Sequence, residues 1–209
     1  MKKSLLLLGV LAALAIGAPA YSQYIFMDVN HDAVNTTADL LTSSITAIDV
    51  YQDTNHDKNG TLKTCAQNAS EPLDIFSYDM VVHLSGSGSV TFNSYTNAAS
   101  GFQLLNPLTV AGPDAGVGYT APAGGNLAPG RYKLGTFNVT VTGSPVLTFI
   151  GLSNNPSIPS FGTGFGTSCD ASTYANTEVL GTDFFDGDGT SAGTDTQSTT
   201  WGKIKQLYH

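Results

Sequence analysis

Two runs set the pattern of the chain. Asp79-Met80-Val81-Val82-His83-Leu84 puts Met80, Val82 and Leu84 on one side, and Phe137, Val139 and Val141 alternate with Asn138, Thr140 and Thr142. A period of two suits strands with one buried and one wet face. Similar runs predict strands over 24–28, 45–52, 73–84, 89–95, 101–105, 132–142 and 146–152. Helical spacing is almost absent. Only Trp201, Ile204 and Leu207 share a face at that spacing, which predicts a short C-terminal element. The chain holds 23 Gly and 9 Pro, so turns are frequent. Gly86-Ser87-Gly88 reads as a hairpin turn, and 106–130 and 154–168 read as long excursions. The expectation is all-β, with one β-sandwich domain over 23–209.

Residues 1–22 have the layout of a secretory signal peptide. Lys2-Lys3 is the charged start, an apolar run follows from Leu5 to Ile16, and Ala18-Pro19-Ala20 fits a small-x-small cleavage pattern. The apolar run falls short of the ~20 residues that span a bilayer. A secreted chain without membrane insertion after cleavage is expected, placed outside the cell, at its surface or in a periplasm. Export permits a disulfide, and Cys65 and Cys169 can form one across 104 positions. Neither cysteine belongs to a CxxC pair, so zinc and redox motifs lack support.

Charged residues make up 11% of the chain, and the formal net charge is −8. With the leader removed, six basic residues face sixteen acidic ones. That balance excludes nucleic acid as a partner, because phosphate binding needs cations. It also disfavours anionic lipid.

The carboxylates are concentrated. Asp28, Asp32, Asp39, Asp49, Asp53 and Asp57 form one stretch, and Asp170, Glu178, Asp183, Asp186, Asp188 and Asp195 form another, with no Lys or Arg inside either. Like charges at 4 Å repel by ~1 kcal/mol even in water. A hard divalent cation relieves this, and calcium takes oxygen ligands. The spacing agrees. Asp28, Asn30 and Asp32 occupy positions 1, 3 and 5 of a calcium loop, Val34 supplies the carbonyl of position 7, and Asp39 stands at position 12. Position 6 is Ala33, where such loops prefer glycine. The pattern D-x-N-H-D returns at Asp53, Asn55 and Asp57, but position 12 there is Thr64. That second loop needs outside ligands, for which Asp183, Asp186 and Asp188 are the candidates. His31 and His56, at position 4, are expected to point away from an ion.

Catalytic apparatus is missing. There is no GxSxG elbow, and Gly162-Thr163-Gly164-Phe165-Gly166 lacks the lysine of a phosphate loop. His83 reads as an exposed strand histidine. Tyr78, Tyr95, Tyr119 and Tyr132 could stack on sugars if exposed together, although core packing explains them as well.

The stretch from Asp74-Ile75-Phe76-Ser77-Tyr78-Asp79, through 89–95, to Pro129-Gly130-Arg131-Tyr132-Lys133-Leu134 is similar to the central strands of cohesin-like modules of bacterial extracellular scaffolds. The resemblance implies a jelly-roll sandwich, a fold that some carbohydrate-binding modules share. The Asp28–Asp39 loop resembles the first half of a dockerin repeat. The second loop lacks the closing residue, so cohesin–dockerin pairing does not carry over. The expected function is a secreted, calcium-binding, non-catalytic binding or surface-structural module. Its partner would be an extracellular protein or a polysaccharide. The alternatives are a carbohydrate-binding module and, behind it, a hydrolase on the same scaffold.

Overall fold

The computed structural model describes residues 23–65, 70, 72–151, 155–158, 162–170, 177–179 and 185–191. The leader 1–22, Asp183 and the Trp201 tail lie outside them. The described chain is all-β. Its strands are β1 (Gln23–Asp28), β2 (Ala47–Asp53), β3 (Ser77–Asn97), β4 (Gln103–Ala111), β5 (Asp114–Thr120), β6 (Arg131–Phe149), β7 (Gly164–Gly166), β8 (Thr177–Val179) and β9 (Phe185–Asp188). A 3-10 turn covers Ser168–Asp170, and the described residues contain no α-helix.

The strands form one mixed sheet in the order β4-β5-β3-β6-β2-β1-β9, with β7 beside β3 and β8 beside β7. Every pairing is antiparallel except β1 with β9. The sheet curls over itself, and a single strand shows why. Tyr78 and Tyr95 both belong to β3, yet their hydroxyls lie 3.2 Å apart. A straight strand would separate their backbones by about 56 Å. The Tyr78 hydroxyl also donates to Asn97 Oδ1 at 2.8 Å. β3 therefore doubles back, its first half in one layer and its second half in the other, an arrangement compatible with a β-sandwich.

The bend lies at Gly86-Ser87-Gly88. This is a corner within a continuous strand and not the hairpin turn expected from sequence. β6 bends with it, because pairing runs unbroken through Gly86 with Pro145, Ser87 with Ser144 and Gly88 with Gly143. Gly86, Gly88 and Gly143 have φ of 79°, 134° and 70°. Side chains disfavour these values. The corner explains why the runs 73–84 and 89–95 belong largely to one strand, and why 132–142 and 146–152 belong to another. A local cluster of glycines looks the same in a turn and in a bend.

The excursion expected over 106–130 instead holds the end of β4 and all of β5. β5 lacks an apolar alternation because two of its positions must be bare. A Cβ at Gly116 would sit 2.6 Å from Ile158 Cγ2, and one at Gly118 would run into the Asp79 carboxylate. In the same way, β7 occupies part of a glycine-rich segment that reads as loop.

The two layers enclose one core. Ile25 and Met27 of β1, Ile48 and Val50 of β2, Met80 and Val82 of β3, Val117 of β5, and Phe137, Val139 and Val141 of β6 belong to it. In β6 the alternation selects the buried face; in β3 it does not, because Asp79 and Val81, expected on a wet face, are buried at 7% and 0% beside Met80 and Val82, with Leu84 packed partly against the core. Tyr78, Tyr95 and Tyr119 belong to this interior rather than to an exposed platform. Tyr78 is buried and stacks on Tyr119 at 5.6 Å, while Tyr95 packs on Phe137 at 4.9 Å. The Tyr132 hydroxyl donates to the Ala128 carbonyl at 2.6 Å.

Cys65 and Cys169 form a disulfide, with Cα atoms 5.4 Å apart, which packs with Leu73 in a small satellite cluster. Beside it, buried Asp74 receives Ser168 N at 2.6 Å, Ser168 Oγ at 2.7 Å, Asn126 Nδ2 at 2.7 Å and Thr167 Oγ1 at 3.2 Å. The carboxylate anchors the 3-10 turn and a second loop to the start of β3.

The corner makes a direct prediction. A Cβ at Gly88 would collide with the Thr142 carbonyl oxygen and approach Gly143 Cα to 3.1 Å. Gly88→Ala should lower unfolding free energy by about 2–4 kcal/mol in urea titrations. An unchanged midpoint would mean that the bend does not need glycine.

Candidate functional site

β1 ends at Asp28, opposite Asp49 of β2. Both carboxylates are buried, at 0% and 4% exposed. Two buried like charges side by side are costly unless each is hydrogen-bonded. The loop after β1 serves Asp28. His31 N donates to Oδ1 and Ala33 N to Oδ2, both at 2.7 Å. Asp49 is served by side chains. Lys133 Nζ lies 2.7 Å from Oδ2, the His31 ring donates from Nδ1 to Oδ2 at 3.0 Å, and Thr136 Oγ1 donates to Oδ1 at 2.8 Å. Burial raises the Asp49 pKa. The bonds from Lys133, Thr136 and His31, with the Lys133 charge, outweigh burial and hold the carboxyl below its ordinary 3.8. Burial, and then the Asp49 charge, push the neighbouring Tyr51 phenol up.

The first acidic loop is knitted from its own backbone. Asp32 N donates to Asn30 Oδ1 at 3.3 Å and Val34 N to Asp32 Oδ1 at 2.9 Å, while Asn30 Nδ2 donates to Asp32 Oδ2 at 3.1 Å. Ala33 at position 6 has φ of 62°, as has His31. That is the left-handed conformation for which calcium loops carry glycine at position 6. It costs a non-glycine residue ~1–2 kcal/mol. Asp28 and Asp32 each accept two hydrogen bonds. An ionised carboxylate offers about four acceptor positions.

Asp39, at position 12, differs. It is fully buried and accepts from Val29 N and Thr36 N at 2.6 Å, Asn30 N at 3.3 Å and Thr36 Oγ1 at 3.4 Å. In this conformation Asp39 closes the loop. Among the described residues, no three His, Cys, Asp or Glu side chains converge as a metal-binding group.

The second loop is neutralised by the protein itself. Asp53 accepts from His56 N at 3.0 Å, His56 Nδ1 at 2.9 Å and Arg131 Nε at 3.3 Å. Asp57 accepts from Asn59 N at 2.9 Å and Thr61 N at 3.0 Å, with Lys63 Nζ 3.0 Å away. The Thr61 amide is the main reason the Asp57 pKa is lowered. Asn55 Oδ1 is buried without a hydrogen-bond partner. Asn55 lines a shallow pocket of about 200 Å³ together with Leu62, Lys63, Thr64, Leu73 and Pro129. The Lys63 ammonium at this pocket already answers Asp57.

His31 reaches out of its loop to Asp49 on β2, and His56 folds back on Asp53. His83 Nδ1 likewise meets Asp114 Oδ1 at 2.7 Å. Arg131 joins the two loops. Besides Asp53, it donates from Nη1 to the Ala33 carbonyl at 3.3 Å, and it lies 5.4 Å above the Phe26 ring.

The C-terminal acidic segment returns beside β1, which separates it from β2. Asp186 is in register with Tyr24 and Asp188 with Phe26. The Tyr24 hydroxyl donates to Asp188 Oδ2 at 3.0 Å. Asp183 lies outside the described residues.

Sequence reasoning missed Lys133, Thr136, Arg131 and Lys63 as partners of the acidic stretches. Their separation along the chain is large, and β-sheet register alone brings them together. No family model matches the chain, and no curated protein and no solved structure matches it.

Because the Asp49 pKa is depressed on folding, its contribution is full above the unfolded value near 3.9. It fades as pH falls through the folded value. Asp49→Asn should cost about 2 kcal/mol at pH 7. The gap from the parent chain should narrow below about pH 4 in acid-unfolding curves. A gap that persists unchanged at pH 2 would refute the ionised Asp49 cluster.

Proposed function

We propose that this chain is a secreted, calcium-stabilised, non-catalytic binding or surface-structural module built on a cohesin-like sandwich, with an extracellular protein or polysaccharide as its partner. The observation that carries the calcium reading is Ala33. The first loop holds the left-handed turn of a calcium loop even though position 6 lacks glycine. Backbone strain of this kind persists where surrounding structure enforces it, and it collects at ligand clamps.

Asp28, Asn30, Asp32 and the Val34 carbonyl would hold the ion. Asp39 would join by giving up its longest contacts, Asn30 N at 3.3 Å and Thr36 Oγ1 at 3.4 Å. Calcium bound there would neutralise carboxylates that the nearby Lys133 and Arg131 do not reach.

Surface chemistry supports a carbohydrate partner as the second reading. Along β3 and β6, Ser89 pairs with Thr142, Thr91 with Thr140, Ser94 with Asn138 and Thr96 with Thr136. The Ser89 and Thr142 hydroxyls lie 2.8 Å apart, and Asn138 Nδ2 donates to Ser94 Oγ at 3.0 Å. Between Leu134 and Cys169 the chain has no charged residue. A neutral face of hydroxyls and amides suits an uncharged polyol better than a nucleic acid or a charged lipid. If this face binds sugar, Thr140→Lys should abolish retention on insoluble neutral polysaccharides such as cellulose or chitin. If the parent chain itself is not retained, the carbohydrate reading falls.

For calcium, the test is thermal unfolding of the mature protein in calcium chloride and in chelator. Binding to the folded state alone adds about 2.7 kcal/mol at a hundredfold excess over Kd. The midpoint should rise with calcium in the parent chain and stay fixed in Asp28→Asn. A midpoint indifferent to calcium in the parent chain would defeat the proposal.

A further inference from the structure

The two layers of the sandwich do not end together. β4 closes one end of the sheet order, and β5 is its strand neighbour among the described residues. In an antiparallel pair, residues directly opposite one another share a face. Leu104 stands opposite Tyr119, and Val110 stands opposite Ala115. Ala115 is fully buried in the core, and Tyr119 packs against it. Leu104 and Val110 therefore face inward, yet they are 56% and 51% exposed. They reach past the rim of the opposite layer.

That rim is the second half of β3. Up to His83, the outer side of β3 is paired with β5, and Leu84 N donates to the Pro113 carbonyl at 2.8 Å in the turn between β4 and β5. From Ser85 to Asn97, β3 pairs with β6 on one side, and among the described residues no strand pairs with the other. Tyr95 packs on Tyr119 at 5.7 Å, so this half of β3 lies over β5. β4 is the next strand out, which makes its layer one strand wider than the layer opposite. Both edges are neutral, because residues 84–113 include no Asp, Glu, Lys, Arg or His. Natural sheet edges are commonly guarded by Lys or Pro. Residues 85–97 carry neither. β4 has Pro107 and two register shifts, which confine regular pairing along it to short stretches.

We propose that this overhang is a lap joint for a second copy of the chain. A two-fold axis running along the strands, between the layers, lays β4 of one copy over β4 of the other. Leu104 and Val110 then cover their counterparts, and each β4 lies beside the second half of β3 in the other copy. β4 runs with the first half of β3, which doubles back at its corner, so both new pairings are antiparallel. One operation serves both edges in both copies, as an isologous contact requires. A lone foreign strand would occupy the β3 edge and leave the β4 edge open. Charge favours this face too. With the leader removed, six basic residues face sixteen acidic ones, so two copies repel across most other surfaces, whereas 84–113 bring no charge to the contact. The inference stands independently of calcium.

Sedimentation equilibrium of the mature protein over a concentration series tests it. The parent chain should pass from one chain mass to two as concentration rises. Val110→Lys and Leu104→Lys, which set like charges against each other near the axis, should each weaken dimerisation by more than about tenfold. Ser43→Lys makes the same charge change on an exposed turn before β2 and should dimerise like the parent. Hydrogen exchange on the parent chain, concentrated and dilute, needs no variant to fold. It should show 89–97 and 103–111 slowing together on concentration. A parent chain that keeps one chain mass at every concentration would overturn the lap joint. So would a dimer that Val110→Lys and Leu104→Lys leave intact, a dimer that Ser43→Lys disrupts equally, or slowed exchange confined to other segments.

Discussion

Buried carboxylates govern this fold. Asp28, Asp39, Asp49, Asp53, Asp74, Asp79 and Asp114 are all less than 8% exposed, in a chain only 11% charged. An ionised carboxylate cannot leave water without replacement donors. Each of these groups therefore dictates what surrounds it. Asp28, Asp39 and Asp74 are met by loop amides, so they determine how those loops turn. Asp49, Asp53 and Asp114 are met by Lys133, Arg131 and histidines, so they tie strands to one another. Asp79 has a single described donor, Asn106 Nδ2 at 2.8 Å, and burial raises its pKa.

The same logic distinguishes two regions of the sheet. The β1–β2–β6 region gathers charge, with Arg131 and Lys133 facing Asp53 and Asp49. The paired corner of β3 and β6 is uncharged and held by glycine geometry and hydroxyl contacts. Folding the corner brings Tyr78 onto Asn97 and closes the core. The acidic loops then decorate the edge at which β9 attaches. Stability, loop shape and any ligand chemistry converge on that edge.

Much of this was legible in the sequence. The alternation around Val139 marks the buried face, whereas around Met80 both sides are buried, and the cysteine pair and the all-β class follow from local pattern. The D-x-N-H-D spacing identifies the loops. What the sequence could not show is non-local. Nothing near Asp49 announces Lys133, which reaches it through the pairing of β2 with β6. Gly86-Ser87-Gly88 looks like a turn because a bend and a turn demand the same residue. β5 hides because Gly116 and Gly118 make room for Ile158 and Asp79. The apparent lack of compensating cations in the acidic stretches was an artefact of reading along the chain. Protein cations meet part of that charge, and backbone amides of the first loop answer Asp28 and Asp39.

A crystal structure of the mature protein, determined once with calcium and once with chelator, tests the central claim most directly. The account predicts an ion 2.3–2.6 Å from oxygens of Asp28, Asn30, Asp32 and the Val34 carbonyl in the first crystal. It also predicts left-handed Ala33 in both crystals. A calcium-grown crystal with water in that loop, or an ion-free loop in which Ala33 relaxes to negative φ, would contradict it.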